Sequence, residues 1–158
     1  MHMSDQDVVN KITELLQEKA SEIVNPAPRR VFVKIERQNL LESLRLLKDK
    51  FGITHLSTIT GLDRGEFFEM LYHLANESLS LTVRTPVPRT EPDVPSICEV
   101  IPGAVLYERE IQEMFGIIVK NIPDPRRLLL SDDWPEDQHP LRKDFVFERP
   151  KEVIPGEG

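Results

Sequence analysis

The sequence predicts an α+β domain: a mixed or antiparallel four-stranded sheet with helices on one face, followed by an extended, proline-rich C-terminal arm. Stretches with apolar residues three or four apart alternate with stretches in which every second residue is apolar. Short turns join the last three predicted strands, which favours an antiparallel meander. From residue 121 onward prolines exclude long regular elements. They are Pro123, Pro125, Pro135, Pro140, Pro150 and Pro155.

Size and charge narrow the class of protein. A chain of 158 residues fits one hydrophobic core. Its net charge of −7 argues against binding to nucleic acid or to anionic lipid. No stretch approaches the roughly 20 apolar residues that span a bilayer, and the N-terminus lacks a secretory pattern. We therefore expect a cytoplasmic protein, which could still associate with a membrane complex through a partner.

The N-terminal half predicts two helices and four strands. Residues 8–24 have helical apolar spacing, with an N-cap near Ser4 or Asp5 and a proline-rich end at residues 25–28. A second helix runs from about residue 40 to Phe51 and stops at Gly52. The strands are predicted at Arg30–Ile35 and at residues 54–62, 67–74 and 79–85.

The stretch 107–116, Tyr-Glu-Arg-Glu-Ile-Gln-Glu-Met-Phe-Gly, predicts the helix around which the chain is organised. Its apolar residues share one stripe, and Gly116 stands where a helix often ends with positive φ. Arg109 and Glu113 have the spacing of an ion pair on the helix surface. Upstream, Ser96 and Glu99 read as a capping box that opens a short helix.

The arm keeps large apolar residues despite its prolines, so we expect it to pack on its own sheet or on another chain. Trp134 is either a core residue or an interface anchor. The basic pairs Arg126-Arg127 and Arg142-Lys143 are either solvated surface or arginine forks for carboxylates or carbonyls of a neighbour.

Redox and hydrolytic sites find little support in the sequence. Cys98 is the only cysteine, so the chain cannot hold a four-thiolate iron–sulfur cluster, and there is no phosphate-binding glycine loop. We expect no cofactor and no metal. Glu110, Glu113 and His139 could serve a stand-alone hydrolase, but an ion-paired helix surface and a polar loop are the favoured interpretations. A soluble adaptor is a further alternative.

Several ordered blocks resemble one family. They are Glu108-Arg109-Glu110-x-x-Glu113-Met114-Phe115-Gly116-Ile117, Pro123-Asp124-Pro125-Arg126-Arg127-Leu128-Leu129, Asp133-Trp134, and His139-Pro140-Leu141-Arg142-Lys143-Asp144-Phe145. This order resembles the 30-kDa subunit of respiratory complex I, known as the C subunit in bacterial NADH:quinone oxidoreductases. Related subunits occur in membrane-bound energy-converting nickel–iron hydrogenases and in deazaflavin- or ferredoxin-linked relatives. Ile122 and Asp137-Gln138 depart from the usual family pattern, which raises the hydrogenase-type and archaeal relatives as options.

The resemblance implies a cofactor-free assembly subunit of the hydrophilic arm of an ion-pumping membrane oxidoreductase. Its expected partners are the large subunit that carries the quinone site, or a nickel–iron site, and the iron–sulfur subunits. We expect residues 1–120 to form the α+β domain and residues 121–158 to form an arm that packs on the partner. The interface residues implied by the family motif are Glu108, Arg109, Glu110, Glu113, Phe115, Arg126, Arg127, Trp134, His139, Arg142, Lys143 and Asp144.

Overall fold

A five-stranded mixed sheet organises residues 4–147, the part of the chain that the computed structural model describes. Its strands are β1 (Ala20–Ala27), β2 (Arg30–Ile35), β3 (His55–Asp63), β4 (Phe67–Ala75) and β5 (Ser80–Pro88). They are ordered β1-β2-β5-β4-β3. Strands β3, β4 and β5 form the expected antiparallel meander, whereas β2 runs parallel to β5. The sheet is therefore mixed.

Three helices pack on one face of this sheet: α1 (Asp5–Leu16), α2 (Leu40–Phe51) and α3 (Val105–Phe115). Buried residues of all three, such as Leu16, Leu44 and Ile111, join one apolar cluster with the inward side chains of the strands. A short parallel ribbon of β6 (Asp93–Pro95) and β7 (Ile118–Lys120) flanks α3. The predicted α+β class, with helices on one face, is confirmed.

The first helix is shorter than predicted, and the sheet gains a strand from the difference. Helix α1 begins at the expected cap, where Ser4 and Asp7 form a capping box. It ends at Leu16, followed by Gln17 with φ 48°. The apolar spacing continues to Ile23, but Ile23 lies opposite Val33 in β1, paired with β2. The sheet therefore has five strands where the sequence predicted four. The apolar spacing is helical and no glycine or proline interrupts it before Pro26, but pairing with β2 overrides this local preference.

Helix α3 packs closely against the edge strand β3 because residue 61 of that strand is a glycine. A Cβ at Gly61 would lie 2.5 Å from Cε2 of Phe115 and 3.0 Å from Cδ1 of Ile111. Any larger residue would push the helix off the strand. The Phe115 ring meets the Phe68 ring edge-on, with centroids 6.2 Å apart. This ring contact fixes the position of the C-terminal half of α3, against which the C-terminal segment of the chain packs.

Candidate functional site at helix α3 and the C-terminal arm

Residues 121–147 contain no helix or strand, yet they fold back along α3 instead of extending away from it. We call this segment the arm. The blocks that sequence analysis found separately contact one another here. The remaining residues of the predicted arm, 148–158, lie outside the described residues.

Arg109 and Glu113 grip consecutive peptide groups of the arm, and we call this pair the clamp. Arg109 donates from Nε to the carbonyl of Arg126 at 2.6 Å and from Nη2 to that of Arg127 at 2.5 Å. Glu113 accepts from the backbone N–H of Leu128 at 2.6 Å and of Leu129 at 2.8 Å. The expected Arg109–Glu113 ion pair does not form, because each charge is used on the arm backbone.

The His-Pro-Leu-Arg block caps the C-terminus of α3, where the last turn of a helix leaves its carbonyls without partners. His139 donates from Nδ1 to the carbonyl of Glu113 at 2.9 Å, and the N–H of Leu141 donates to the carbonyl of Met114 at 3.1 Å. Arg142 donates from Nε to the carbonyl of Phe115 at 2.6 Å, placing a cation at the negative end of the helix.

Gly116 makes this cap possible for two reasons. Its φ of 65° is in the left-handed region that favours glycine. A Cβ there would also collide with the His139 ring and would lie 2.6 Å from Nη2 of Arg142. The arm therefore passes the helix end at a distance that only glycine allows.

Beyond the cap, Asp63 at the end of β3 holds the arm. Its carboxylate accepts from the N–H of Lys143 at 2.9 Å and pairs with Arg89 at 3.1 Å. Burial by itself would raise the pKa of Asp63. The backbone donors at Lys143 and Gly65, together with Arg89, outweigh it, so the pKa is lowered. Arg89 also pairs with Asp144 at 3.2 Å, so one arginine links the end of β3 to the arm.

Arg127 and Trp134 shape the middle of the arm. Arg127 donates to the carbonyls of Ser131 and Trp134, each at 2.7 Å. Trp134 is half-buried, donates from its indole to the carbonyl of Gln138 at 2.8 Å and packs on the Phe145 ring. Its one polar group is thus satisfied inside the arm. Partial burial is compatible with both interpretations of Trp134, so its place in an interface stays a prediction.

Glu108 points away from the arm into the core beside Ser96, and only 1% of its surface is exposed. It accepts from the Ser96 hydroxyl at 2.7 Å, the Ile97 N–H at 2.6 Å and the Cys98 thiol at 3.2 Å. Burial raises the pKa of Glu108 above its ordinary value, and these hydrogen bonds offset only part of that rise. Burial likewise raises the pKa of the Cys98 thiol to about 11.

The side chains left for a partner are a smaller set than the motif suggested. Glu110 is exposed on α3. The Arg126 side chain is 81% exposed, and its only partner within residues 4–147 is Asp124, two residues away. The exposed large apolar residues of the arm are Leu128, Leu129, Leu141, Val146 and Phe147. The first three, which we call the arm leucines, have backbone N–H groups bonded to α3 while their side chains face outward. The interface assignment as a whole stays a prediction.

Sequence reasoning missed Asp63, Arg89 and Asp124, which anchor the arm. Asp63 reads as a turn residue, and Arg89 lies in a proline-rich connector. Asp124 accepts from Arg109 at 3.3 Å, fifteen residues away. A contact that depends on the path of the arm has no local spacing that could reveal it.

Several open clefts lie on the surface that residues 4–147 form. A shallow cleft of about 200 Å³ is lined by the clamp, Trp134 and His139. Within residues 4–147, no three His, Cys, Asp or Glu side chains come together as metal ligands do. No helix in that range has the length and apolarity to cross a membrane.

Comparison with known proteins places most of the chain in one family. The family described as "Respiratory-chain NADH dehydrogenase, 30 Kd subunit" matches residues 33–151. The C subunit of the NADH-quinone oxidoreductase of Rhodopseudomonas palustris (strain TIE-1) is 41% identical over 117 residues, covering 70% of this chain and 56% of that protein. The match thus spans little more than half the length of the bacterial NADH-quinone oxidoreductase C subunits.

Two further similarities extend over more of the chain. The C subunit of the F(420)H(2) dehydrogenase of Methanosarcina mazei is 30% identical over 147 residues, covering 90% of this chain and 92% of that one. A chain in the solved structure of the membrane-bound sulfane sulfur reductase, an archaeal respiratory membrane complex, aligns with a TM-score of 0.79 at 24% identity. That alignment covers 89% of this chain and 85% of the other, and it supports the fold.

Proposed function

We propose that this chain is a structural subunit of a complex I-like membrane oxidoreductase. The reason is that it belongs to the family of the 30-kDa subunit of the respiratory-chain NADH dehydrogenase. Family members are subunits of multi-subunit respiratory complexes. In this proposal the chain carries no redox centre. It docks the large quinone-site subunit of the hydrophilic arm, and it reaches the membrane through the other subunits.

One observation carries the proposal: the arm leucines are held outward by a backbone that is itself bonded to α3. Leu129 is 59% exposed and Leu141 is 53% exposed, although the N–H of each is hydrogen-bonded. Their exposure therefore does not come from a loose loop backbone. Five large apolar side chains are exposed on this one segment, which favours an interface that another chain completes.

The polar rim of this face fits a protein partner. Arg126 lies two residues before Leu128 in the arm, and Glu110 lies on α3. Both side chains are exposed, and within the described residues neither is bonded to the folded core. Charged rims around an apolar centre set the orientation and the rate of docking more than the affinity. We place Arg126 and Glu110 in this role and the arm leucines at the centre.

A second candidate is the equivalent subunit of an F(420)H(2) dehydrogenase. The relative of that name matches this chain along nearly its whole length, whereas the match to the bacterial quinone-linked relative covers only 56% of that protein. The two candidates share the same docking role and differ in the electron donor of the complex. A hydrogenase-type complex would be distinguished by nickel in the large subunit.

A matched pair of substitutions tests the docking surface. Leu129 and Ile118 are each 59% exposed, but Leu129 lies on the arm and Ile118 on the β6–β7 ribbon. Each would be changed to Asp in the full-length tagged chain, which would then be recovered from detergent-solubilised membranes of its own source. We expect Leu129→Asp to lower recovery of the large subunit at least about tenfold, because a carboxylate would then be buried without a partner in an apolar contact, and Ile118→Asp to leave it unchanged.

Equal recovery with Leu129→Asp and with the unaltered chain would contradict docking through the arm. Loss of recovery with both variants would also contradict it, since the surface would then not be confined to the arm. Unfolding in urea, measured on each variant, ensures that recovery is compared between folded proteins.

A further inference from the structure

The clamp is almost fully occupied inside the chain. The Arg109 side chain is 11% exposed and Glu113 is 9% exposed. Three donors of Arg109 reach the arm, and both carboxylate oxygens of Glu113 accept backbone N–H groups. Little of either group is left for a second protein. We therefore look for the function of Arg109 and Glu113 in their effect on the arm.

Four of the five hydrogen bonds of the clamp bind the backbone of the arm, and the fifth binds the Asp124 carboxylate. Arg109 binds two successive carbonyls, and Glu113, one helical turn later, binds the two N–H groups that follow. Such a grip fixes the direction of residues 126–129 without burying the side chains of Leu128 and Leu129. The planar guanidinium fork and the two-oxygen carboxylate each match a pair of peptide groups.

We infer that Arg109 and Glu113 are positioning residues that order the arm before assembly, so that the arm leucines meet an apolar surface of the partner subunit in a fixed arrangement. This inference rests on the proposed docking function. A segment that is already ordered loses less conformational freedom on binding, which strengthens association without any new contact. The clamp thus contributes to assembly although it does not touch the partner.

Amide hydrogen exchange of the purified full-length chain, followed by NMR, tests the first half of this inference. Glu113→Gln keeps the size of the side chain but sets an NH₂ group against one of the two backbone N–H donors. We expect the amides of Leu128 and Leu129 to exchange roughly 10- to 100-fold faster, the range for losing a charge-assisted hydrogen bond. Amides of β4 and β5 should keep their protection.

Glu110→Gln is the matched control, because it makes the same change on the same helix at an exposed residue. It should leave the exchange at Leu128 and Leu129 unchanged. Arg109→Lys keeps the positive charge and loses the fork. We expect it to release the arm as Glu113→Gln does, which a role for charge alone would not predict.

Recovery of the large subunit from solubilised membranes tests the second half. We expect several-fold lower recovery with Glu113→Gln than with the unaltered chain. Unchanged exchange at Leu128 and Leu129 in Glu113→Gln would overturn the inference whatever the recovery. Faster exchange with undiminished recovery would overturn it too, because ordering would then not assist docking. Failure of the proposed function is seen separately, as normal recovery of Leu129→Asp.

Discussion

Replacing Gly116 with alanine should separate the arm from α3 at one point. At this position φ is 65°, and the new Cβ would enter the space of the His139 ring and of Arg142. Both side chains are fixed by hydrogen bonds to the last carbonyls of α3, so neither can move away without losing its own bond. The substitution therefore combines backbone strain with a clash against the arm.

Gly52 provides the control that separates the two costs. It ends α2 with φ 62°, nearly the same conformation, and a Cβ there has nothing within 4 Å. Left-handed backbone costs a non-glycine residue about 1–2 kcal/mol, and this cost applies to both variants. Overpacking against fixed neighbours costs about 1–3 kcal/mol more. We expect Gly116→Ala to lose that additional amount of unfolding free energy relative to Gly52→Ala.

Urea unfolding of both variants measures the difference, and amide exchange at Leu141 locates it. If the arm detaches to relieve the clash, the loss of unfolding free energy is limited, but the Leu141 N–H loses its bond to Met114 and exchanges faster. Equal stability of the two variants together with unchanged protection of Leu141 would refute the packing of the arm on the helix end.

Two other predictions concern charges. The pKa of Glu108 is raised by burial above its ordinary 4.5, so the folded chain binds more protons than the unfolded chain just above pH 4.5, and its unfolding free energy falls as the pH rises through that window. Glutamine does not titrate, so urea unfolding at a series of pH values should show that Glu108→Gln lacks this decline. Parallel pH profiles for Glu108→Gln and the unaltered chain would contradict the prediction. Arg126→Glu should weaken assembly while changing the unfolding free energy only slightly, because among the described residues this exposed side chain pairs with Asp124 alone and exposed ion pairs contribute little to stability. Arg127→Glu should also destabilise the arm, because it breaks the bonds to Ser131 and Trp134; assembly unaffected by Arg126→Glu would contradict its place in the rim.

The sequence predicted those elements of the fold whose signals are local. Strand β2 has the predicted bounds, and α2 and α3 end at the glycines that mark them. Strand β1 was missed because its residues continue the apolar spacing of α1, and only pairing with β2 shows that they are extended. The predicted capping box at Ser96 and Glu99 is wrong for a similar reason. The Ser96 hydroxyl is drawn to Glu108 and the Glu99 carboxylate to Arg45, both far away along the chain.

For the candidate site, the motif residues were found but the direction of their contacts was not. Arg109 and Glu113 have the spacing of an ion pair, and nothing local shows that each binds the backbone of a segment some fifteen residues later. The burial of Glu108 could not be seen either, since its neighbours on the helix are charged. The sequence did contain these blocks in a fixed order along the chain. The structure explains why they occur together, because the later blocks bind the helix that the first block forms.

Recovery of the tagged chain from detergent-solubilised membranes of its own source, with the co-purifying proteins identified by mass spectrometry, would decide whether it is an assembly subunit. We expect a large subunit with a quinone site together with iron–sulfur subunits, in stoichiometric amounts. Nickel in the large subunit would assign the chain to a hydrogenase-type complex instead. Recovery of the chain alone, as a monomer, would contradict its role in assembly.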